Sequence, residues 1–107
     1  MQYEEIAQKI EKQVKKDYAY LAYRLPYREN RGILDTGEEK IEIQPYSFTQ
    51  MSDIVKKVFE ASYPVKETRE IGFRGEILVS ETKELEIYAT AGASLIEYNV
   101  RARKKSE

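Results

Sequence analysis

Residues 96–103, Ile-Glu-Tyr-Asn-Val-Arg-Ala-Arg, are the stretch that decides the fold. Apolar or aromatic side chains alternate there with polar or charged ones at every position. Successive side chains of a β-strand point to opposite faces of a sheet, whereas a helix repeats every three or four residues. The stretch therefore predicts a strand with one buried and one polar face, and a C-terminal sheet in place of a third helix.

The segments before this strand continue the predicted sheet. Residues 84–89 alternate in the same way, and residues 91–93, Ala-Gly-Ala, predict the turn between these two strands. Residues 71–79 carry apolar side chains in one phase, and Gly72 and Gly75 within them indicate a bulge or a close backbone approach. Together the three segments predict an antiparallel meander.

Two amphipathic helices are predicted upstream of the meander. Residues 3–25 place apolar side chains in one stripe, at steps of three and four, and Pro26 ends the pattern. Residues 47–50, Ser-Phe-Thr-Gln, fit a capping box, and helical spacing follows from Met51. Residues 33–44 predict a short hairpin between the helices. The order predicts a two-layer α+β fold, an antiparallel sheet of about four to five strands packed by two helices.

The composition bounds both size and chemistry. The chain has 107 residues, which predicts a single domain over residues 1–107 with a frayed tail at about 104–107. It contains no Cys and no His, which excludes disulfides, thiolate nucleophiles, imidazole catalysis and metal sites built on those ligands. Its carboxylate pairs match no known catalytic or metal-binding spacing. We therefore expect a protein that is not an enzyme and has no cofactor or metal.

The charge and hydropathy patterns narrow the location and the partners. No apolar run approaches the roughly 20 residues of a membrane span, and the acidic start is unlike a signal peptide, so we expect a cytoplasmic protein. A content rich in Lys and Glu leans toward that of thermophilic proteins. Lys and Arg number 18 against 19 Asp and Glu, so binding of a polyanion would require local segregation of positive charge.

The outer face of the predicted first helix offers such segregation. Lysines and tyrosines recur there at helical spacing, opposite the core stripe, and arginines follow in the next loop. Cations that neutralise phosphates, interleaved with rings that stack on bases, are what a single-strand binding surface needs. This predicted Lys/Tyr/Arg ridge consists of Lys9, Lys12, Lys16, Tyr20, Tyr23, Arg24, Tyr27, Arg28 and Arg31.

A second basic group lies on the last predicted strand. Arg101 and Arg103 could reach a phosphate backbone and so extend the ridge. Alternatively, they pair across the sheet with Glu84 and Glu86 of the neighbouring strand.

Single-stranded nucleic acid is thus the leading prediction for the partner. One alternative is a protein-interaction or homo-oligomeric module that uses the same Tyr-rich face. Another is a small-ligand pocket between a helix and a curved sheet, lined by tyrosines. The exposure of Tyr20, Tyr23 and Tyr27 separates these hypotheses, because a ring buried against the sheet cannot stack on a base.

Overall fold

Two helices and seven strands make up residues 2–72 and 75–105, the part of the chain that the computed structural model describes. The strands form one antiparallel sheet in the order β3-β2-β1-β7-β6-β5-β4. In chain order the elements are α1 (Gln2–Val14), β1 (Tyr18–Pro26), β2 (Gly32–Asp35), β3 (Lys40–Ile43), α2 (Phe48–Ser62), β4 (Glu67–Ile71), β5 (Gly75–Val79), β6 (Lys83–Ala91) and β7 (Leu95–Lys104). The predicted α+β class is confirmed, with more strands than the four or five expected.

Two meanders, β1–β3 and β4–β7, meet at the centre of the sheet. There β1 and β7 pair along their whole length, from Tyr18 opposite Arg103 to Pro26 opposite Leu95. The outermost strands are β3 and β4, which are consecutive along the chain except for α2. The second helix therefore carries the chain across one face of the sheet, from edge to edge.

The first additional strand is β1, which replaces the second half of the helix predicted over residues 3–25. The helix ends at Val14, and Ala19, Leu21 and Tyr23 are buried on one side of β1 with a period of two. The apolar residues of this segment fit the period of a strand and also that of a helix, since its two leucines stand four residues apart. Tyrosines favour strands, and β1 pairs on both sides with β2 and β7. That pairing decides in favour of the strand.

The second additional strand is β4, because β4 and β5 form a hairpin where one bulged strand over residues 71–79 is predicted. Ile71 pairs with Gly75, so the chain reverses between them. Gly72 has a φ of 56°, which is the left-handed region that glycine adopts at little cost. The predicted bulge is therefore a turn. Phe73, which was placed in the same strand, lies outside the described residues.

The capping box of α2 is confirmed. The Ser47 side chain accepts a hydrogen bond from the Gln50 backbone N–H at 3.1 Å, and the Gln50 side chain accepts one from the Ser47 N–H at 2.8 Å. Both bonds satisfy donors that the start of a helix otherwise leaves unpaired. Met51 and Phe59 are buried, as the helical spacing predicts.

The core lies between the two helices and one face of the sheet. Its helical part consists of Ile6, Ile10, Val14, Met51, Ile54, Val55 and Phe59. Its strand part consists of Ala19, Leu21, Tyr23, Leu34, Ile43, Leu78, Leu85, Ile87, Tyr98, Val100 and Ala102. The alternation predicted for the last strand is confirmed, since Tyr98 and Val100 are buried in this core and Arg101 is exposed. We call the opposite side of the sheet the open face.

The end of β7 makes backbone hydrogen bonds at the start of the segment, 104–107, for which the sequence predicts a frayed tail. The Lys104 N–H donates to the Asp17 carbonyl at 2.9 Å, and the Lys105 N–H donates to the Thr82 carbonyl at 2.8 Å. These bonds concern Lys104 and Lys105 alone, and the frayed tail stays a prediction. Residues 106–107 lie outside the described residues.

Candidate functional site

The predicted Lys/Tyr/Arg ridge is not one surface. Lys9 and Lys12 lie on α1, Lys16 follows it, and Tyr20, Tyr23 and Arg24 lie on β1. Alternate residues of a strand face opposite sides of the sheet. The single helical ridge therefore separates into a lysine group beside α1, residues on the open face, and a ring in the core.

The lysine group is paired with the acidic turn between β2 and β3. Lys9 Nζ lies 2.5 Å from Glu39 Oε1, and Lys12 Nζ lies 3.2 Å from Glu38 Oε2. Lys16 contacts the same Glu38 carboxylate. Hydrogen bonds from Lys16, Gln13 and Lys12 lower the pKa of Glu38 from 4.5 to about 2. Much of the charge that would attract phosphate is balanced locally.

Tyr23 belongs to the core and cannot serve as a stacking platform, which corrects its place in the ridge. Its side chain is 1% exposed. Its hydroxyl lies 2.7 Å from both the Tyr46 carbonyl, to which it donates, and the Tyr46 N–H, from which it accepts. Gly32 leaves room for the ring, because a Cβ there would lie 2.5 Å from it. The phenol is a structural crosslink between β1 and the segment before α2.

On the open face, Tyr20 and Arg24 are held by polar partners. The Tyr20 hydroxyl donates to the Asn99 side chain, and burial raises its pKa above the ordinary value. Arg24 lies 2.7 Å from Glu97 and 3.1 Å from Asp35. The hydrogen bond with Glu97 is the largest cause of the raised pKa of Arg24. Both side chains are therefore only partly available to a ligand.

The two arginines of β7 also face carboxylates on this side. Arg103 Nε lies 3.3 Å from Glu84 Oε1, and Arg101 Nη1 lies 4.0 Å from Glu86 Oε1. In each case the partners stand directly opposite in the β6–β7 register. The cross-strand pairing considered for these arginines is thus present, and it competes with a phosphate contact.

The loop after β1 holds the remaining ridge residues. Tyr27 is 50% exposed, and its hydroxyl donates to the Gly92 carbonyl at 2.9 Å. Arg31 contacts Glu29 and lies 3.0 Å from Glu42, whereas Arg28 is exposed. The ridge residues are therefore distributed over both layers and a loop, and most of their cations are paired.

A cleft lies elsewhere in the molecule, between the N-terminal half of α2 and strands β4–β7. This cleft has a volume of about 690 Å³, within the range of small-molecule sites. Its wall combines an aromatic pair, one apolar strand surface and several polar side chains. Lining residues that bear on its chemistry are Phe48, Ser52, Asp53, Lys56, Glu76 and Tyr98.

The Tyr98 hydroxyl is the anomalous group of this cleft. The side chain is 4% exposed, and among the described residues its hydroxyl has no hydrogen-bond partner. Burial raises the pKa of this phenol far above its ordinary value, so it stays protonated. The Ser52 hydroxyl opposes part of that shift, but the pair lacks hydrogen-bonding geometry. An unpartnered buried hydroxyl costs free energy, so its position calls for an explanation.

Aromatic packing sets the position of the Tyr98 ring. Phe48, in the first turn of α2, stacks on it with ring centroids 6.3 Å apart and planes inclined at 27°. Tyr23 meets the other edge of Phe48 in a T-shaped contact at 6.4 Å. The capped start of α2 thus holds the phenol in the wall of the cleft.

None of the residues that line the cleft is among the site residues predicted from the sequence. One signal was present, because Tyr98 falls in the apolar phase of the last strand, where a phenol needs a buried partner. Gly72 and Gly75, for which the sequence predicts a bulge or a close backbone approach, are also among the lining residues. The polar residues of α2 that line the cleft could not be recognised from the sequence as part of a site. They flank the apolar stripe of the helix, which faces the core.

Comparison of the chain with protein-family models, with curated proteins and with solved structures finds no significant match. Within residues 2–72 and 75–105, no three acidic side chains converge in an arrangement that could hold a metal ion. Neither described helix is long and apolar enough to cross a membrane.

Proposed function

We propose that this protein binds a small organic molecule in the cleft between α2 and the sheet, without transforming it. The observation that carries the proposal is the Tyr98 hydroxyl, which is buried in the wall of the cleft and has no hydrogen-bond partner within residues 2–72 and 75–105. A ligand that hydrogen-bonds this phenol would remove the cost of leaving it unpaired. The volume and the mixture of aromatic and polar lining fit a molecule with an apolar body and one polar end.

The test is to fill the cleft and to follow binding of simple aromatic probes. Ala89 lines the cleft, so Ala89→Leu should reduce its volume, whereas Ala91→Leu adds the same side chain on the same strand at an exposed position outside the lining. Benzyl alcohol, benzylamine and benzoate, titrated into the millimolar range, should shift amide resonances of the cleft residues in the unaltered protein. We expect Ala89→Leu to abolish the shifts and Ala91→Leu to retain them. Absence of shifts with all three probes would overturn the proposal.

Single-stranded nucleic acid is a second candidate, now on the open face. Tyr18, Tyr20 and Tyr88 share this face with Arg101, and Tyr18 is 60% exposed. Aromatic side chains on an open antiparallel sheet, beside an arginine, form a surface on which bases can stack. The paired carboxylates weaken this candidate, because they offset the attraction for phosphate.

Fluorescence anisotropy with labelled single-stranded DNA and RNA, at several salt concentrations, tests this second candidate. Tyr18→Ala should remove roughly 1–3 kcal/mol of affinity without changing the salt slope, because stacking releases no counterions. Arg101→Ala should reduce the slope by about one phosphate contact. Lys12 lies on α1, in the helical layer, so Lys12→Ala serves as the control. It should change neither the affinity nor the salt slope. No binding at low salt would exclude the candidate.

A further inference from the structure

The polar groups of the cleft carry an excess of negative charge. Asp53 projects from α2, Glu70 from β4 and Glu76 from β5, and Lys56 is the cation that lines the same space. Lys56 contacts the Glu76 carboxylate, so this pair is balanced. Among residues 2–72 and 75–105, Asp53 and Glu70 make no ion pair. Two carboxylates at the cleft therefore remain available to a cationic group.

The Tyr98 hydroxyl lies in the field of these acidic groups. Asp53 and Glu76 line the same cleft as Tyr98, and their negative charges both add to the raised pKa of the phenol. A neutral phenol presents two lone pairs and one O–H group. Because the surrounding charges are negative, the ligand group that this environment favours is one that carries positive charge and donates hydrogen bonds.

The aromatic wall suits the same chemistry. Phe48 and Tyr98 stack on each other, and an aromatic face attracts an ammonium or guanidinium group. Ile87 and Ala89 supply apolar surface on the sheet side of the cleft. An anion would meet the carboxylates and no unpaired described cation, so the site discriminates against it.

We propose that the ligand of this cleft is a small organic cation: an amine with a short apolar or aromatic body, whose N–H groups donate to the Tyr98 hydroxyl and to the Asp53 carboxylate. The inference rests on the proposed small-molecule function and adds the charge of the ligand to it. The apolar body packs against Phe48, Ile87 and Ala89. Glu70 also lines the cleft and adds attraction for a cation.

Three probes of similar size and different charge test the inference. Benzylamine is a cation at neutral pH, benzyl alcohol is neutral and benzoate is an anion. Isothermal titration calorimetry, together with amide chemical shifts, should rank their affinities as benzylamine, then benzyl alcohol, then benzoate. We expect benzylamine to bind about twofold to fivefold more tightly than benzyl alcohol. This is the gain in affinity that one solvated ion pair provides. The difference should shrink at high salt.

Two variants of α2 locate the effect. Asp53→Asn should reduce benzylamine affinity by about twofold to fivefold and leave benzyl alcohol unchanged. Glu60→Gln removes a carboxylate two turns later on the same helix, outside the cleft lining, and should change neither probe. Tyr98→Phe should weaken both probes, because each donates a hydrogen bond to the phenol.

The outcomes separate the two proposals. Benzoate or benzyl alcohol binding as tightly as benzylamine, with a response to Tyr98→Phe, would overturn the cationic class and leave the small-molecule function standing. Benzylamine binding that ignores both Asp53→Asn and Tyr98→Phe would place the amine elsewhere and overturn the inference. No binding of any of the three probes would overturn both proposals.

Discussion

Two buried phenols differ in their hydrogen-bond partners. The Tyr23 hydroxyl both donates to and accepts from the backbone of Tyr46 at 2.7 Å. The Tyr98 hydroxyl, equally buried, has no partner among the described residues. A satisfied phenol strengthens a core, and an unsatisfied one weakens it. Under the proposed small-molecule function, the stability cost at Tyr98 is the one that the binding site bears when its ligand is absent.

Replacing each phenol by phenylalanine should therefore have opposite effects on stability. Tyr98→Phe removes an unpaired buried hydroxyl and should raise the free energy of unfolding by about 1 kcal/mol. Tyr23→Phe leaves the Tyr46 groups without their partner and should lower it by about 1–2 kcal/mol. Thermal and urea unfolding measure both, with about 4–8 °C in Tm per kcal/mol for a small domain. A loss of stability in Tyr98→Phe would contradict the assignment of its hydroxyl as unpartnered.

The Glu38 carboxylate should give the stability a defined dependence on pH. Its pKa is lowered from 4.5 to about 2 in the folded chain, chiefly by the hydrogen bond from Lys16. A group with a lowered pKa stabilises the fold above its unfolded value and loses this contribution as the pH falls through the folded value. The Tm difference between the unaltered protein and Glu38→Gln should thus be constant above pH 5 and vanish toward pH 2.

The same comparison contains its own control. Glu81→Gln removes a carboxylate whose contact with Lys66 is long, 3.7 Å, and whose side chain is 85% exposed. Its Tm difference should be close to zero at every pH. A Glu38→Gln profile as flat as that of Glu81→Gln would show that the Lys16 contact does not stabilise the fold.

At the scale of elements, α2 is both the best-specified helix and the one that builds the cleft. Its capping box sets where the helix begins, and Phe48 in the first turn stacks on the Tyr98 ring. The opposite wall is weaker. Strand β4 is an edge strand, and four of its five residues, all but Ile71, are exposed. A stable helix and a weakly packed edge strand thus face each other across the cleft.

Stability at α2 should depend on both the cap and the core. Ser47→Ala should lower the free energy of unfolding by about 1 kcal/mol, since it removes the acceptor for the Gln50 N–H. Phe59→Ala should lower it by about 3–5 kcal/mol, because Phe59 is fully buried. Urea unfolding compares the two, and equal small losses would contradict this description of the helix.

Hydrogen exchange should distinguish the two walls. Amides of β4 that donate to β5 should exchange much faster than those of the central strand β7, because β4 contributes no residue to the buried core. NMR-detected exchange of the native protein measures both sets under the same conditions. Protection of β4 equal to that of β7 would show that this edge opens only with the whole domain.

At the scale of the molecule, one core joins both helices to the central strands. The buried cluster includes residues of α1, α2 and six of the seven described strands, and β1 and β7 link the two meanders through nine residue pairs. Because the described elements share this core, we expect no boundary at which one half of the chain could unfold alone. The radius of gyration of the Cα atoms is 13.4 Å, close to the roughly 13 Å expected for a compact chain of this length.

Unfolding should therefore be a single cooperative transition. Far-UV circular dichroism and tyrosine fluorescence should give the same midpoint in urea, and Leu85→Ala, a fully buried site on β6, should lower both midpoints together. The expected loss is about 2–5 kcal/mol. Separate midpoints for the two signals would indicate that the meanders unfold independently.

Short-range patterns in the sequence were sufficient for α2, for the 33–44 hairpin and for the last two strands. In each case one signal points to one structure: the capping box, the turn chemistry, or alternation with a single period. Residues 18–26 carry two periods at once, and the 71–79 segment contains a turn whose glycines also fit a bulge. The sequence by itself determined the α+β class and most element boundaries. Its lack of Cys and His excluded the chemistry that those side chains provide.

Only the tertiary structure decided that residues 18–26 are a strand, because the free energy that selects it comes from pairing with β2 and β7 on either side. The same pairing placed Tyr23 in the core and the arginines opposite carboxylates, which dispersed the predicted ridge. The cleft, too, depends on residues from α2, β4, β5, β6 and β7 that are distant along the chain. Local patterns predict local hydrogen bonding, whereas a cavity is a property of how elements pack across such distances.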